Sequence, residues 1–361
     1  MRNIQLQIVS SRLHPDGETL RVSKRKTYRD RKNTLLLSDT VRKAFLYPAI
    51  AKNTDCLNEG DIVVVKPDGS CYLVWKQDSI HNSLFTTDAC NVRCIMCPQP
   101  PKKDDPSVHQ RNLRILELLK ENPQVICISG GEPTLFPERI LQYFQLINEK
   151  FPSCQVDILT NAVALSNFDR AKQLALAAPL NTTFCVSLHS DVADLQEAIN
   201  GLKGGFAKTI KGIGNLGKLR QHIEIRPVIT QKNHHYLKDF ARFIYRNFPF
   251  VDHVAFMGQE IIGHAQKNYE QIWVDPVEYI DRLCHAVKIV DDMGMNVSIY
   301  NIPLCLLPEP YRHFATRSIS DWKQGYVAAC ESCTKRDECC GVFLTSGSYL
   351  TQGITPITLA P

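Results

Sequence analysis

From residue 84 to residue 300 the chain alternates between short apolar runs and segments of helical periodicity. The strand-like runs lie at 84–86, 125–129, 155–160, 183–188, 222–229, 253–257 and 296–300. Amphipathic helical patterns fall between them at 108–121, 137–150, 168–177, 236–247 and 277–293. Repeated strand–helix units lead to a parallel sheet, because each helix carries the chain back to the same end through a right-handed crossover. The expected core is therefore α/β, a barrel or a doubly wound sheet. Residues 1–80 read instead as β-rich, with apolar runs at 63–65 and 71–75 around Asp68-Gly69, a hairpin signal. Residues 301–361 are cysteine-rich. Three parts are expected: a β-rich domain at 1–80, the α/β core at 81–300 and a Cys-rich region at 301–361.

The first core strand runs into Cys90-Asn91-Val92-Arg93-Cys94-Ile95-Met96-Cys97, a C-x3-C-x2-C spacing. Three thiolates on one short loop can hold a four-iron cluster by three of its irons and leave the fourth open to a small chelating ligand. Zinc is the competing reading. Zinc sites want four Cys or His ligands with a second pair nearby, and His81 and His109 make no familiar zinc spacing. The loop also follows a strand end, where α/β enzymes keep their sites.

Past one helical pattern and one apolar run comes Ser129-Gly130-Gly131-Glu132-Pro133. Alone this is weak, since glycine turns before proline are common. Together with the cysteine loop it resembles the radical S-adenosylmethionine (SAM) enzymes, whose cluster loop and G-G-E-P motif occur in this order. The likeness to the family core covers residues 83–300. It implies a partial (β/α)6 barrel with a β-rich N-terminal extension and a Cys-rich C-terminal auxiliary-metal region. It also implies a 4Fe–4S cluster on Cys90, Cys94 and Cys97, and SAM held at Gly130, Gly131, Glu132 and Pro133. There the glycines admit the ligand and the Glu132 carboxylate meets its ammonium. The chemistry implied is reductive cleavage of SAM to a 5′-deoxyadenosyl radical that takes a hydrogen atom from substrate.

Polar residues stand at other strand ends. By the same resemblance Asn161, Ser187 and Arg226 contact the SAM ribose and carboxylate. Thr160 and Asn161 serve equally well as caps of the next helix. Arg226 interrupts a strand and needs a partner. His189 reads as a loop residue. The glycines of 201–209 lack the Walker spacing and read as a helix start with Thr209 as its cap.

A second cysteine set follows: Cys305, Cys330, Cys333 and Cys339, a C-x24-C-x2-C-x5-C pattern with enough ligands to close a metal site. An auxiliary 4Fe–4S cluster and structural zinc both suit it, and the cluster is favoured in a chain already carrying iron–sulfur. Cys339 is preferred to its neighbour Cys340 because it stands at C-x-G. Cys56, Cys71, Cys127, Cys154, Cys185 and Cys284 lie in or beside apolar runs and read as packing residues.

The run from Cys94 to Pro101, with 300–305 and 318–322, resembles most the His-Xaa-Ser system radical SAM maturases. That resemblance implies a His-Xaa-Ser repeat precursor peptide as substrate, a partner radical SAM maturase, and an electron donor such as flavodoxin or ferredoxin. A small-molecule or RNA substrate is the alternative, and a non-catalytic iron–sulfur or zinc scaffold a further one. No winged-helix pattern of the kind that grips leader peptides is evident. The net charge of +5 is mild and scattered, so no nucleic acid partner is expected. Without an 18-residue apolar stretch no membrane association is expected, and without a secretory h-region the chain is expected to be cytoplasmic. Fourteen cysteines in such a chain point to metal rather than disulfides.

Overall fold

The computed structural model describes residues 2–11, 13–24, 30–38, 46–52, 54–349 and 351–358. Seven short strands form the N-terminal sheet: β1 (Arg2–Gln5), β2 (Ile8–Ser11), β3 (Glu18–Ser23), β4 (Thr34–Leu37), β5 (Ala49–Ala51), β6 (Ile62–Val65) and β7 (Ser70–Trp75). Their order is β1-β7-β6-β3-β4-β5-β2. The hairpin expected around Asp68-Gly69 is β6–β7, with Val65 opposite Cys71. Gly69 takes φ 85° there and donates its N–H to Lys66 O at 3.0 Å. Part of the basic run at 21–32 lies outside the described residues. Arg21 itself is largely buried, between Glu59 and Glu121.

The second sheet has eight strands, all parallel, in chain order: β8 (Ser83–Phe85), β9 (Val125–Ser129), β10 (Gln155–Thr160), β11 (Thr182–Val186), β12 (His222–Ile225), β13 (His253–Met257), β14 (Asn296–Tyr300) and β15 (Ala315–Thr316). The expected (β/α)6 core is thus extended by β14 and the two-residue β15. Every strand alternates with period two. Ile126 and Ile128, Val156 and Ile158, Phe184 and Val186, Ile223 and Ile225, Val254 and Phe256, Val297 and Ile299 all join one apolar cluster with the covering helices. The intervening residues Cys127, Asp157, Cys185, Glu224, His253, Ser298 and Tyr300 share the opposite, inner face.

The covering helices are α1 (Pro106–Leu118), α2 (Pro137–Lys150), α3 (Phe168–Ala177), α4 (Ala193–Asn200), α5 (Gly205–Lys218), α6 (Leu237–Asn247) and α9 (Pro276–Asp292); short helices α7 (His264–Lys267) and α8 (Tyr269–Ile272) lie between α6 and α9. Ile140, Tyr143, Phe144 and Ile147 on α2, or Leu237, Phe240, Ala241 and Ile244 on α6, repeat at the three-and-four spacing of a buried stripe. Asp105 caps α1 and Asp275 caps α9, each ahead of a proline at the first helical position. Among the described residues no helix is long and apolar enough to cross a membrane.

Several boundaries differ from expectation for identifiable reasons. The fifth core strand stops at Ile225, not residue 229, because Pro227 has no N–H for the ladder. Arg226 therefore stands just beyond the strand and does not interrupt it. Helices α4 and α5 both lie between β11 and β12; α4 was not expected, and of α5 only a helix start was. Thr209 is not a cap: α5 starts four residues earlier, after Gly204 at φ 73°, and the Thr209 hydroxyl donates to Asn161 O at 2.9 Å. Cys56 is exposed, whereas Cys71, Cys154, Cys185 and Cys284 are buried.

Ile158 is fully buried in the central strand β10, beside Ile128 and Phe184. Ile158→Ala is expected to cost about 2–5 kcal/mol. Denaturant unfolding checks this as a lowered midpoint at unchanged slope.

Candidate functional site

Cys90, Cys94 and Cys97 are free thiols, each partly buried, on the loop that leaves the C-terminal end of β8. The neighbouring strand β9 is followed directly by Gly130-Gly131, and the two segments meet backbone to backbone. Gly131 N–H donates to Thr87 O at 2.7 Å, and Glu132 N–H donates to Ala89 O at 2.9 Å. A Cβ on Gly131 would lie 2.3 Å from Ala89 O, and one on Gly130, at φ 151°, 2.7 Å from Thr87 O. Only glycine permits this approach. Behind the loop, Thr87 bonds Asp104, whose carboxylate takes both Nη groups of Arg139 at 2.9 and 2.6 Å.

The far side of the loop rests on two other elements. Arg93 and Ile95 donate to the carbonyls of Asn200 and Ile199 at the end of α4. Gly201, in the left-handed region at φ 69°, leaves room for Arg93 O. From the other direction His264 N–H donates to Cys97 O at 2.9 Å, and Asn268 Nδ2 donates to Ile95 O at 2.8 Å. Gly263 has no space for a Cβ beside Pro98 O. Asn200, Gly201, Gly263, His264 and Asn268 were not legible as site residues. Their signal is positive φ and side-chain amides, which a sequence shows only as ordinary loop composition.

Glu132 is 0% exposed. Its Oε1 accepts from Thr134 N–H at 3.0 Å, Thr134 Oγ1 at 2.6 Å and Thr160 Oγ1 at 2.7 Å, and its Oε2 accepts from Asn161 N–H at 2.6 Å. Burial raises its pKa, and these donors oppose the rise. The carboxylate thus ties the ends of β9 and β10 together. Pro133 opens the short turn behind it. Asn161 carries the tie to the cysteine loop: its Nδ2 donates to Asn91 Oδ1 at 2.7 Å and lies 3.8 Å from Cys90 Sγ.

Ser187 follows β11 directly and donates its N–H to Thr160 O at 2.9 Å. Arg226 follows β12, and its Nε donates to Glu224. The guanidinium carbon lies 5.8 Å from the centre of the Tyr300 ring. Glu224 also accepts from His253 Nδ1 at 2.5 Å, and His253 Nε2 meets Ser298 Oγ at 2.9 Å. The arginine's required partner is thus a carboxylate two residues back on its own strand. Glu224 is held below the usual carboxylate range by His253 and Arg226 against the upward push of burial. His189 is buried, with Nδ1 accepting the Val228 N–H at 3.1 Å, and burial lowers it to about 4.

Burial pushes the Cys90 thiol up to about 11, and Cys94 higher still, with Glu132 and the neighbouring thiols adding to both rises. Three thiolates side by side therefore need a positive group between them. The donor set fits an iron–sulfur cluster in that sense: three unbridged sulfurs on a loop fixed from three sides. Among the described residues no three His, Cys, Asp or Glu side chains converge on a single-ion position.

The second set gathers as well. Cys305, Cys330, Cys333 and Cys339 line one cavity with Pro303, Tyr326, Ile354, Thr355 and Ile357; Cys340 is not among its walls. Cys339 Sγ accepts N–H groups of Leu304 and Gly341 at 3.4 Å each. The Cys340 thiol beside it, with these donors, lowers Cys339 to about 6. Cys333 Sγ accepts from Ile357 N–H at 3.4 Å. Four sulfurs around one cavity, with backbone donors aimed at two of them, fit a multi-iron group rather than a single ion, on which no three of them converge.

Two outcomes are expected. Gly131→Ala should lower iron bound per chain after anaerobic reconstitution, because its Cβ displaces Ala89 and with it Cys90. Gly214→Ala, on α5 with open space at its Cβ, should leave iron content unchanged and gain up to about 1 kcal/mol in stability. The second concerns pH. His189 has a folded pKa of about 4, below the unfolded value near 6.5. The unfolded chain therefore binds the proton first, and stability should fall as pH drops from 6.5 to 4, by at most about 3 kcal/mol from this group. His189→Asn keeps an acceptor for Val228 and should flatten that part of a plot of Tm against pH.

With the geometry in view, comparison with known proteins is direct. Residues 84–244 match the family model described as the Radical SAM superfamily. The mycofactocin maturase MftC of Mycobacterium ulcerans (strain Agy99) is 30% identical over 160 residues, 43% of this chain and 41% of that protein. The antilisterial bacteriocin subtilosin biosynthesis protein AlbA of Bacillus subtilis (strain 168) is 26% identical over 206 residues, 53% of this chain and 43% of AlbA. The match thus spans less than half the length of either relative. Streptococcus suis SuiB, solved bound to its precursor peptide SuiA, aligns with a TM-score of 0.46 at 17% identity, over 60% of this chain and 48% of SuiB. That matched stretch includes the Cys90–Cys97 loop and the Gly130–Glu132 turn, and the parallel sheet that presents them is the radical SAM α/β fold.

Proposed function

We propose that this chain is a radical SAM peptide maturase. It would hold a 4Fe–4S cluster on Cys90, Cys94 and Cys97, bind SAM beside it, and modify a His-Xaa-Ser repeat peptide. The observation that carries the reading is the glycine-dependent docking of the cysteine loop on the Gly130–Glu132 turn at the C-terminal strand ends. Two relatives, named a maturase and a bacteriocin biosynthesis protein, support a ribosomally made peptide as the substrate class. The His-Xaa-Ser choice rests on the run from Cys94 to Pro101. When bound, the cluster and SAM supply a 5′-deoxyadenosyl radical to the barrel interior.

The chain's own residues have definable tasks in this reading. The cysteine loop, fixed on three sides, holds the three sulfurs without large reorganisation. Glu132 acts first on the protein, fixing β9 to β10, and the adjoining Gly130 and Gly131 backbone is left to meet the SAM ammonium. Asn161 positions Cys90. Ser187 and Arg226 stand at adjacent strand ends on the inner face, where they would take the SAM carboxylate. Glu224 fixes Arg226 through Nε and leaves its other N–H groups for that task. In the second cavity, Cys305, Cys330, Cys333 and Cys339 would hold an auxiliary 4Fe–4S cluster, with zinc as the competing metal. A flavodoxin or ferredoxin would supply electrons, a second radical SAM maturase would act beside this one, and the reaction would run in the cytoplasm.

Anaerobically reconstituted, reduced protein should cleave SAM to 5′-deoxyadenosine, and Cys94→Ala should abolish this. Replacing Cys330 and Cys333 together should lower metal content while leaving some SAM cleavage. Zinc lost at unchanged iron would assign the second site to zinc. Co-expression with a His-Xaa-Ser repeat peptide from an adjacent reading frame, in heavy water, should change the peptide's mass or its deuterium content. Turnover of SAM with neither change would reject that peptide as the substrate.

A further inference from the structure

A second cavity lies beside the four-cysteine one, at the C-terminal ends of β12, β13 and β14. Its walls include Gln259, Trp273, Tyr279, Phe343, Tyr349 and Thr351. Its floor is rigid: Gly258 donates its N–H to Tyr300 O at 2.8 Å, and a Cβ there would lie 2.7 Å from Asn301 O. The floor loop continues through Gly263 to His264, which bonds Cys97 O, so this cavity shares a loop with the first cysteine set. The roof is lighter. The Tyr349 ring lies 4.6 Å from that of Tyr269, and Thr351 Oγ1 donates to Asp275 at 2.6 Å. Nearby Gly347, at φ 58°, has open space around it.

Gln259 is out of place in such a pocket. Both Nε2 and Oε1 are buried, and neither has a hydrogen-bond partner among the described residues. A buried carboxamide with both donor and acceptor unmet is unfavourable until something supplies them. A carboxamide presents its acceptor and donor side by side. One extended peptide residue does the same, because its N–H and C=O point to the same edge of the strand. The aromatic walls would then receive that residue's side chain.

We propose that this cavity is a substrate subsite. Gln259 pairs with the N–H and C=O of one extended peptide residue, and Tyr349 swings aside to admit it. The proposal rests on the peptide-maturase reading and adds the residue that recognises the backbone.

The test uses the full chain, anaerobically reconstituted, and a dye-labelled, acetylated and amidated peptide of two His-Ala-Ser units, with binding read by fluorescence anisotropy. Gln259→Leu should weaken binding at least tenfold and at the same time raise Tm, since it removes an unpaired buried amide. Backbone N-methylation at one position of the peptide should weaken binding to the wild type tenfold and make no further difference to Gln259→Leu. Binding by Gln259→Leu within twofold of wild type overturns the proposal. So does a fall in Tm with affinity retained, which would make Gln259 a structural amide. Failure of the wild-type chain to bind the peptide while it cleaves SAM also overturns the subsite and leaves the radical reading standing. Failure to cleave SAM with peptide still bound through Gln259 has the opposite meaning.

Discussion

The site depends on one contact between two backbones. Where β9 ends, Gly130 and Gly131 lie against Thr87 and Ala89 closely enough that a methyl group on either glycine would overlap a carbonyl oxygen. Two hydrogen bonds from the turn to the loop set the distance. Cys90 follows Ala89 directly, so this contact decides where the first sulfur stands. A contact built from backbone atoms varies less than one built from side chains, because there are no rotamers to change. The supports at Asn200, Gly201 and Gly263 repeat the device: each brings backbone or a short amide against the loop, and two of them use a glycine at positive φ.

Burial gives Glu132 a role that its motif does not announce. A carboxylate at 0% exposure with four donors cannot also reach outward without leaving those donors unmet, and each unmet group costs about 1–3 kcal/mol. It therefore acts on the protein, by fixing the turn and Asn161. Arg226 shows the complementary arrangement. Glu224, itself bonded by His253, holds it, and Tyr300 lies beside it. The alternation that gives the helices an apolar layer is the same alternation that lines the interior with ionisable groups. Fold and site are thus written in one pattern.

Much of this was legible beforehand. The strand–helix alternation gave the parallel sheet, and the period-two runs at 125–129, 155–160 and 253–257 gave strand limits to the residue. The cysteine spacings picked out two groups of thiols, which the fold places on one loop and around one cavity. Other features were hidden by physics that spacing does not carry. The glycines within residues 201–217 hid the extent of α5, because propensity counts against glycine even where tertiary packing wants it, and the short α4 was not read. At Gly212 a Cβ would strike Ala162 O at 2.3 Å, so that glycine serves close packing on α5. The inward turn of Glu132 and the unpaired amide of Gln259 are tertiary facts with no local signature.

The two thiol sets differ in what holds them ready. In the first, burial and neighbouring negative groups oppose ionisation of Cys90 and Cys94. Bringing those sulfurs together as thiolates would take a positive charge, so binding a metal group there would be tied to proton release. In the second, Cys339 Sγ accepts the N–H groups of Leu304 and Gly341, and these with the neighbouring Cys340 lower the thiol to about 6. Burial pushes the Cys305 thiol on the same cavity the other way, up. The chain segment carrying Ile354, Thr355 and Ile357 closes this cavity and donates to Cys333. Thr351 and Gln352, just before it, bond Asp275 at the start of α9. The same strand of chain thus walls the four-cysteine cavity with one part and the aromatic cavity with the other.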